Sequence, residues 1–264
     1  MELAVSGGTN ILSLDVLEDV KVVEIETEFG SATLEIGKIG KIGKTGKTGE
    51  ISRAGVKEGA REGAEVEIAL LRRHGINNNI PPHRINHAAN FAALKKLGVK
   101  RVIGMGSVGC LKSEIELPAV AIPHDYIDFF SSATTINDRL EHVTPGFDEE
   151  LRKVLIEVAR EVCGERGYNL VEKAVYFQSR GPRLETKAEV RVISSWADCV
   201  GMTAGSEATV AKELGIGYAC VCTMDNYANG VRGEEVDYRE IVRRARMSAE
   251  VSLEIVSRAL ERLL

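Results

Sequence analysis

A basic excess is missing from this chain. Lys and Arg number 34 against 39 Asp and Glu, for a formal net charge of -5 and a sequence pI near 5.7. Such a chain lacks the electrostatic footprint of a dedicated nucleic-acid binder. Long apolar runs are missing too. The longest are strand-length, far short of the roughly 18 residues a membrane span needs, so no membrane partner is expected. The opening Met1 to Ser6 carries neither a basic nor an apolar stretch of the secretory kind. Cysteines are few and odd in number: Cys110, Cys163, Cys199, Cys220 and Cys222. Their scatter suits reduced thiols in a cytoplasm rather than a disulfide framework. The lone Cys220-x-Cys222 lies in an apolar run, where alternation along a strand explains it without a metal. The single tryptophan, Trp196, is expected in the core. What is present, 44% hydrophobic and 28% charged residues, is enough for a globular core and excludes wholesale disorder.

The first residues, 3–9, read as a short buried strand running into a Gly turn. Residues 37–49 are a Gly-Lys repeat of period three, and the charged, Gly-spaced stretch continues to about 64. With little to bury, 37–64 is expected to form a surface loop or a loose hairpin. The repeat resembles a phosphate-binding loop only superficially. That pattern needs a Gly five residues before the Gly of Gly-Lys-Thr, and Lys38 and Lys41 stand there. From residue 66 strands and helices alternate. Strands are predicted at 66–71, 101–105, 119–122, 174–177, 199–202 and 218–224. Helices are predicted at 85–97, 148–163, 187–195, 207–214 and 238–264. The alternation predicts a single α/β domain over 1–264, a mixed β-sheet flanked by helices.

In such sheets ligands bind at the carboxyl ends of strands. The polar ends here are Gly7-Gly8-Thr9, Arg73-His74-Gly75, Gly106 to Gly109, Gly201-Met202-Thr203 and Asp225-Asn226. Glycine-rich ends bring backbone N–H groups close to an anion, and Arg73 adds a permanent planar fork. Together they make a small anion cradle. Glu185 and Thr186 fit an ordinary helix start, and Glu185 also fits a carboxylate accepting ring N–H groups of a heterocycle. Asn226 fits a turn residue as well as an amide that both donates and accepts. Gly205-Ser206-Glu207 reads as a helix cap. His83 and His87 have the spacing of a zinc pair on a helix that begins early, but Arg84 stands where the Glu of H-E-x-x-H belongs, so no metal is expected. There is no G-x-S-x-G elbow.

Taken together and in order, several stretches resemble the purine nucleoside phosphorylases and 5′-methylthioadenosine phosphorylases of the trimer-forming type. They are Gly7-Gly8-Thr9, Phe29-Gly30, Arg73-His74-Gly75, Pro81 to Asn90, Val108 to Leu111, Ile127-Asp128, Gly181 to Glu189, Trp196, Gly201-Met202-Thr203, Glu207 and Ala211 to Ile216. The resemblance covers most of the chain from residue 66 and the first turn.

It implies phosphorolysis of a purine nucleoside to free base and a pentose 1-phosphate, without metal or organic cofactor. It implies phosphate binding by Thr9, Arg73, His74, Ser107 and Thr203, with Ser107 standing where the family often has Ala and acting through its backbone N–H. Met202 would pack on the ribose. Glu185 and Asn226 match the branch that prefers 6-oxopurines, since a carboxylate accepts the ring N–H that hypoxanthine and guanine carry and adenine lacks. Inosine, guanosine or 5′-methylthioinosine is thus expected over methylthioadenosine. His74, Glu185 and Asn226 would be the catalytic groups. His142 would enter the adjacent active site of a homotrimer or a dimer of trimers. The chain departs from the family at Asn10, at Asn77 to Asn79, and in a shortened segment between Phe130 and Asp148, which leaves the sugar's 5′ group open. A 5′-methylthioadenosine phosphorylase, a hydrolase of the same fold and a silent nucleoside-binding relative are the alternatives.

Overall fold

The computed structural model describes residues 1–8, 17–39, 67–233 and 238–264. Its strands are β1 (Leu3–Gly7), β2 (Leu17–Thr27), β3 (Gly30–Ile39), β4 (Glu67–Arg72), β5 (Arg101–Cys110), β6 (Ala119–Asp128), β7 (Asn169–Gln178), β8 (Cys199–Gly201) and β9 (Gly217–Tyr227). Its helices are α1 (His87–Lys96), α2 (Glu149–Arg166), α3 (Lys187–Ile193), α4 (Ala204–Glu213) and α5 (Tyr238–Leu263). The strands form one mixed sheet in the order β2-β3-β4-β1-β5-β8-β7-β6-β9. Strand β9 also pairs in parallel with β5, so β5, β8, β7, β6 and β9 close on themselves as a barrel.

Alternation along each strand sends neighbouring residues to opposite faces. Ala4, Ala69, Leu71 and Val102 pack with Phe91 and Leu94 of α1 and with Ala208 and Ala211 of α4. Their neighbours Leu3, Val5, Ile68, Leu70 and Ile103 pack with Leu151, Leu155 and Val158 of α2 and with Val251, Ile255 and Ala259 of α5. The sheet is thus sandwiched between α1/α4 and α2/α5. Leu151, Leu155 and Ile255 are fully buried, so truncating any one to Ala costs about 2–5 kcal/mol. Helix α2 starts where the Asp148 side chain accepts the Leu151 N–H at 2.8 Å and stops at Gly167 in the left-handed region.

Three sequence expectations change. The first is the hairpin of β2 and β3, which the periodicity reading passed over. Ala32 and Leu34 face the core, but β2 is largely solvent-exposed, so its charged residues hide the alternation. Residues 37–39 therefore belong to β3, and the rest of the Gly-Lys repeat, from residue 40, lies outside the described residues. The second is α4, which begins at Ala204, with Thr203 rather than Gly205-Ser206 at its start. The third is Trp196, which is 50% exposed and packs edge-on against Phe129 instead of lying in the core. Thr186 caps α3 as expected, in a reciprocal box with Glu189. The five cysteines are free and buried, and Cys220 and Cys222 lie on one face of β9 with their sulfurs 3.7 Å apart. Among the described residues no helix is long and apolar enough to cross a membrane.

Candidate active site

Strands β4 and β5 run parallel to β1 on its two sides, so their carboxyl ends lie together. There they floor a cavity of about 630 Å³. β1 leads into Gly8, and β4 leads into Arg73 and His74; the Arg73 N–H donates to the Gly7 carbonyl at 3.1 Å. The Arg73 side chain is 2% exposed. Its Nη2 donates to the carbonyls of Ser6 of β1 (2.7 Å) and Met105 of β5 (2.8 Å). Its Nη1 donates to Thr203 Oγ1 at 2.6 Å. Because that oxygen accepts from Arg73, the Thr203 hydroxyl hydrogen is left for an anion in the cavity.

Beneath Arg73 sits Glu207, fully buried on α4. Its Oε1 is 3.2 Å from Arg73 Nε, near enough for strong attraction but not aligned as a hydrogen bond. The carboxylate also accepts the hydroxyls of Ser6 and Tyr218, each at 2.7 Å. Burial works against the Arg73 charge, Glu207 works for it, and the balance raises the guanidinium pKa. From sequence Glu207 reads as part of a helix cap, whereas in the fold it is the buried counter-charge of Arg73. The signal lay in the helix period: it is three residues from Ala204 and four from Ala211, on the apolar stripe.

His74 is fixed by its neighbours. Its Nδ1 lies 2.7 Å from the Ile80 carbonyl, within a turn closed by Gly75 in the left-handed region. The carbonyl takes the Nδ1 hydrogen, which leaves Nε2 as an acceptor when the ring is neutral. Burial, assisted by Arg73, lowers the His74 pKa and favours that neutral form. Gly8 is required beside it, since a Cβ there would stand 3.0 Å from Cδ2 and Nε2 of the ring. Behind His74 the imidazole of His87 opens α1. Its Nδ1 is buried without a partner, and burial lowers its pKa to about 4. His83 lies in the exposed turn Pro82–Arg84 ahead of α1, so the two histidines do not share a helix face.

Other elements supply the rest of the lining. Met202 and Thr203 follow β8, and Ser107, Val108 and Gly109 come from β5. Glu185 presents a buried Oε1 with no partner, and its backbone carbonyl accepts from Asn229 Nδ2 at 3.1 Å, which ties its loop to the loop after β9. Asn226 lines the cavity too and donates from Nδ2 to the Tyr227 carbonyl at 2.8 Å. Ile241, Val242 and Ala245 of α5 complete the wall. Asp225, just behind, is buried on β9. Its Oδ2 accepts the hydroxyls of Ser107 and of Thr223 (the latter at 3.1 Å), while burial raises its pKa.

One cavity therefore brings together Arg73, His74, Ser107, Met202, Thr203, Glu185 and Asn226. Thr9 and Asn10 lie outside the described residues. His142 is exposed and does not line the cavity of this chain. Among the described residues no group of three or more His, Cys, Asp and Glu side chains is placed to hold a metal. Asn229 and the α5 wall are the additions that the fold supplies, and it gives Glu207 and Asp225 their partners.

The cavity at the carboxyl ends of the parallel strands is lined by a guanidinium, a carboxylate and an amide, groups that can pair with an anion and with the polar edge of a heterocycle. The chain belongs to the phosphorylase superfamily, whose family model matches residues 27–261. It is 52% identical over 261 residues to a probable 6-oxopurine nucleoside phosphorylase of Archaeoglobus fulgidus, covering 99% of this chain and 96% of that one. It is 32% identical over 259 residues to a probable S-methyl-5′-thioinosine phosphorylase of Methanocaldococcus jannaschii, covering 96% and 90%. The fold matches that of a Schistosoma mansoni methylthioadenosine phosphorylase solved with adenine, at a TM-score of 0.81 with 21% identity, over 100% of this chain and 92% of that one. A methylthioadenosine phosphorylase from an antarctic soil metagenomic library matches equally, at 0.81 with 24% identity, over 98% and 85%.

Proposed function

We propose that this enzyme is a purine nucleoside phosphorylase, a pentosyltransferase that cleaves 6-oxopurine nucleosides with inorganic phosphate. The observation that carries this reading is that one cavity is lined both by Arg73 with the Thr203 hydroxyl and by Glu185, whose buried Oε1 has no partner. An oxyanion held by Arg73, Thr203, His74 and Ser107 attacks C1′ of the sugar. A new C1′–O bond forms while the C1′–N9 bond breaks, and the electron pair leaves with the purine. Glu185 accepts the ring N–H of the 6-oxopurine, and Asn226 donates to the side of the base where charge builds up. Groups preorganised around the phosphate and around the base then stabilise a transition state that is cationic at the sugar and anionic at the base. Met202 lines the same cavity, and the ribose is placed against it.

The names of the relatives support a 6-oxopurine and leave both ribose and 5′-methylthioribose open as sugars. Phosphate is the co-substrate, and no cofactor enters the scheme. We place the enzyme in the cytoplasm, in purine salvage, as a homotrimer or a dimer of trimers in which His142 completes a neighbour's site. The free thiols support the first point. The exposed His142 segment and the exposed ring cluster of Phe129, Phe130 and Trp196 support the last.

The test is release of base from inosine, guanosine, 5′-methylthioinosine, adenosine and methylthioadenosine, with and without phosphate. Phosphate-dependent release of hypoxanthine or guanine is the expected result. Release without phosphate would make the enzyme a hydrolase, and release of adenine alone would overturn the role given to Glu185.

A further inference from the structure

Asp225 has no part in the scheme above, yet it is only 4% exposed and lies one hydroxyl behind the anion site. A buried carboxylate there opposes anion binding and is costly to keep. Its placement is specific. Along the β5–β9 pair the register runs Ser107 to Thr223 and Val108 to Met224, then jumps to Gly109 and Asn226. Asp225 is the extra residue of a β-bulge, the device that re-aims a side chain within a ladder. The bulge turns its carboxylate onto the neighbouring strand, where Oδ2 accepts the Ser107 hydroxyl. Thr223 donates to the same oxygen at 3.1 Å. Oδ1 is buried with no partner.

Ser107 faces the cavity. With its hydrogen committed to Asp225, its oxygen shows the cavity only lone pairs. His74 does the same at Nε2, since its Nδ1 hydrogen belongs to the Ile80 carbonyl. A cradle that contains Arg73 and the Thr203 hydroxyl as donors therefore also contains two acceptors. Two acceptors facing an oxyanion repel it unless it brings hydrogen of its own.

We infer that Asp225 is a positioning residue that makes Ser107 a hydrogen-bond acceptor, so that the cradle selects an oxyanion carrying an O–H group and rejects one without. Hydrogen phosphate and hydrogen arsenate carry that group at neutral pH, and sulfate does not. The inference rests on the phosphorylase reading for the use of the anion but not for its recognition. An acceptor facing an acceptor is left unpaired, which disfavours the anion that brings no hydrogen.

The test compares phosphate and sulfate on the whole enzyme, by calorimetric titration of each anion and by sulfate inhibition of phosphorolysis. The wild type is expected to hold sulfate at least about tenfold more weakly than phosphate. Asp225→Asn, whose amide donates to Ser107 and frees the Ser107 hydrogen for the anion, narrows that ratio. Ser107→Ala, which removes the acceptor itself, narrows it too. General damage to the fold would weaken both anions together and leave the ratio where it was. Equal binding of the two anions by the wild type, or an unchanged ratio in both variants, overturns the inference. Selective phosphate binding without cleavage of any purine nucleoside sinks the functional reading and leaves this one standing. Cleavage with equal anion affinities does the reverse, and binding of neither anion sinks both.

Discussion

Arg73 and Glu207 meet 3.2 Å apart beneath the cavity floor, with side chains 2% and 0% exposed. The pair has two jobs that mutation separates. Removing Arg73 leaves a buried carboxylate without its cation, a change that costs about 3–5 kcal/mol in comparable pairs. Arg73→Ala is therefore expected to lower the unfolding midpoint and to abolish phosphate-dependent turnover. Glu207→Gln is expected to act differently. It leaves the guanidinium uncompensated below the anion site, so the free protein loses stability while added phosphate restores more of it than in the wild type. Thermal melts with and without phosphate check this. A phosphate-induced shift no larger in Glu207→Gln than in the wild type would show that Glu207 does not balance Arg73.

Gly8 and His74 are a packing pair. A Cβ at Gly8 would meet the ring at 3.0 Å, and the ring is held on its other side by the Ile80 carbonyl at 2.7 Å. The ring has little room to yield, so Gly8→Ala should push Nε2 off its line to the anion. A misplacement of this kind can cost about a hundredfold in rate. Steady-state kinetics at varied phosphate are expected to show a raised KM for phosphate with KM for the nucleoside little changed. An equal rise in both would mean that the substitution disturbs the cavity generally.

Much of this site was legible in the sequence because a strand end is a local feature. Arg73, His74, Ser107 and Thr203 each follow or close a short apolar run, and parallel strands bring such ends together whatever lies between them. The partners that complete the site are not local. Glu207 meets the Ser6 hydroxyl across 201 positions, and Ser107 meets Asp225 across 118. A charged residue among small ones on a helix stripe reads as an ordinary helix start until the opposite strand is in place. The β5–β9 bulge is equally silent, since one extra residue changes register only against a partner strand. The β2–β3 hairpin was missed for the opposite reason: it is local, but it buries too little apolar surface to show a clear alternation.

Glu185 sets the base preference in this scheme. Its Oε1 is buried and unpartnered, ready for a ring N–H. Glu185→Ala should lower kcat/KM for inosine and guanosine by about 10²–10³-fold, the size found when one preorganised polar contact to a reacting group is lost. Adenosine has no N–H at that ring position, so its slow turnover should change far less. Glu185→Gln keeps an acceptor oxygen and should retain part of the activity toward inosine. Parallel losses for inosine and adenosine would assign Glu185 to the structure of its loop instead.

His87 carries an acid sensitivity that is separate from turnover. It is 7% exposed, its Nδ1 is unpartnered, and burial lowers its pKa to about 4 from 6.5. Between those two values the unfolded chain binds a proton that the folded one refuses. Folding stability therefore falls as pH drops through 6.5 and levels off below about 4, whereas above 6.5 the group contributes no slope. At roughly 1.4 kcal/mol per pKa unit the full loss is about 3 kcal/mol. His74 shifts in the same direction and adds to the slope, so the effect of His87 has to be read as a difference. Denaturant unfolding of the wild type and of His87→Gln at several pH values from 7 to 4.5 supplies it. The variant should lose less stability than the wild type over that range. Identical slopes would mean that the folded protein accommodates an imidazolium at this position, with Glu207 as an anion that favours it.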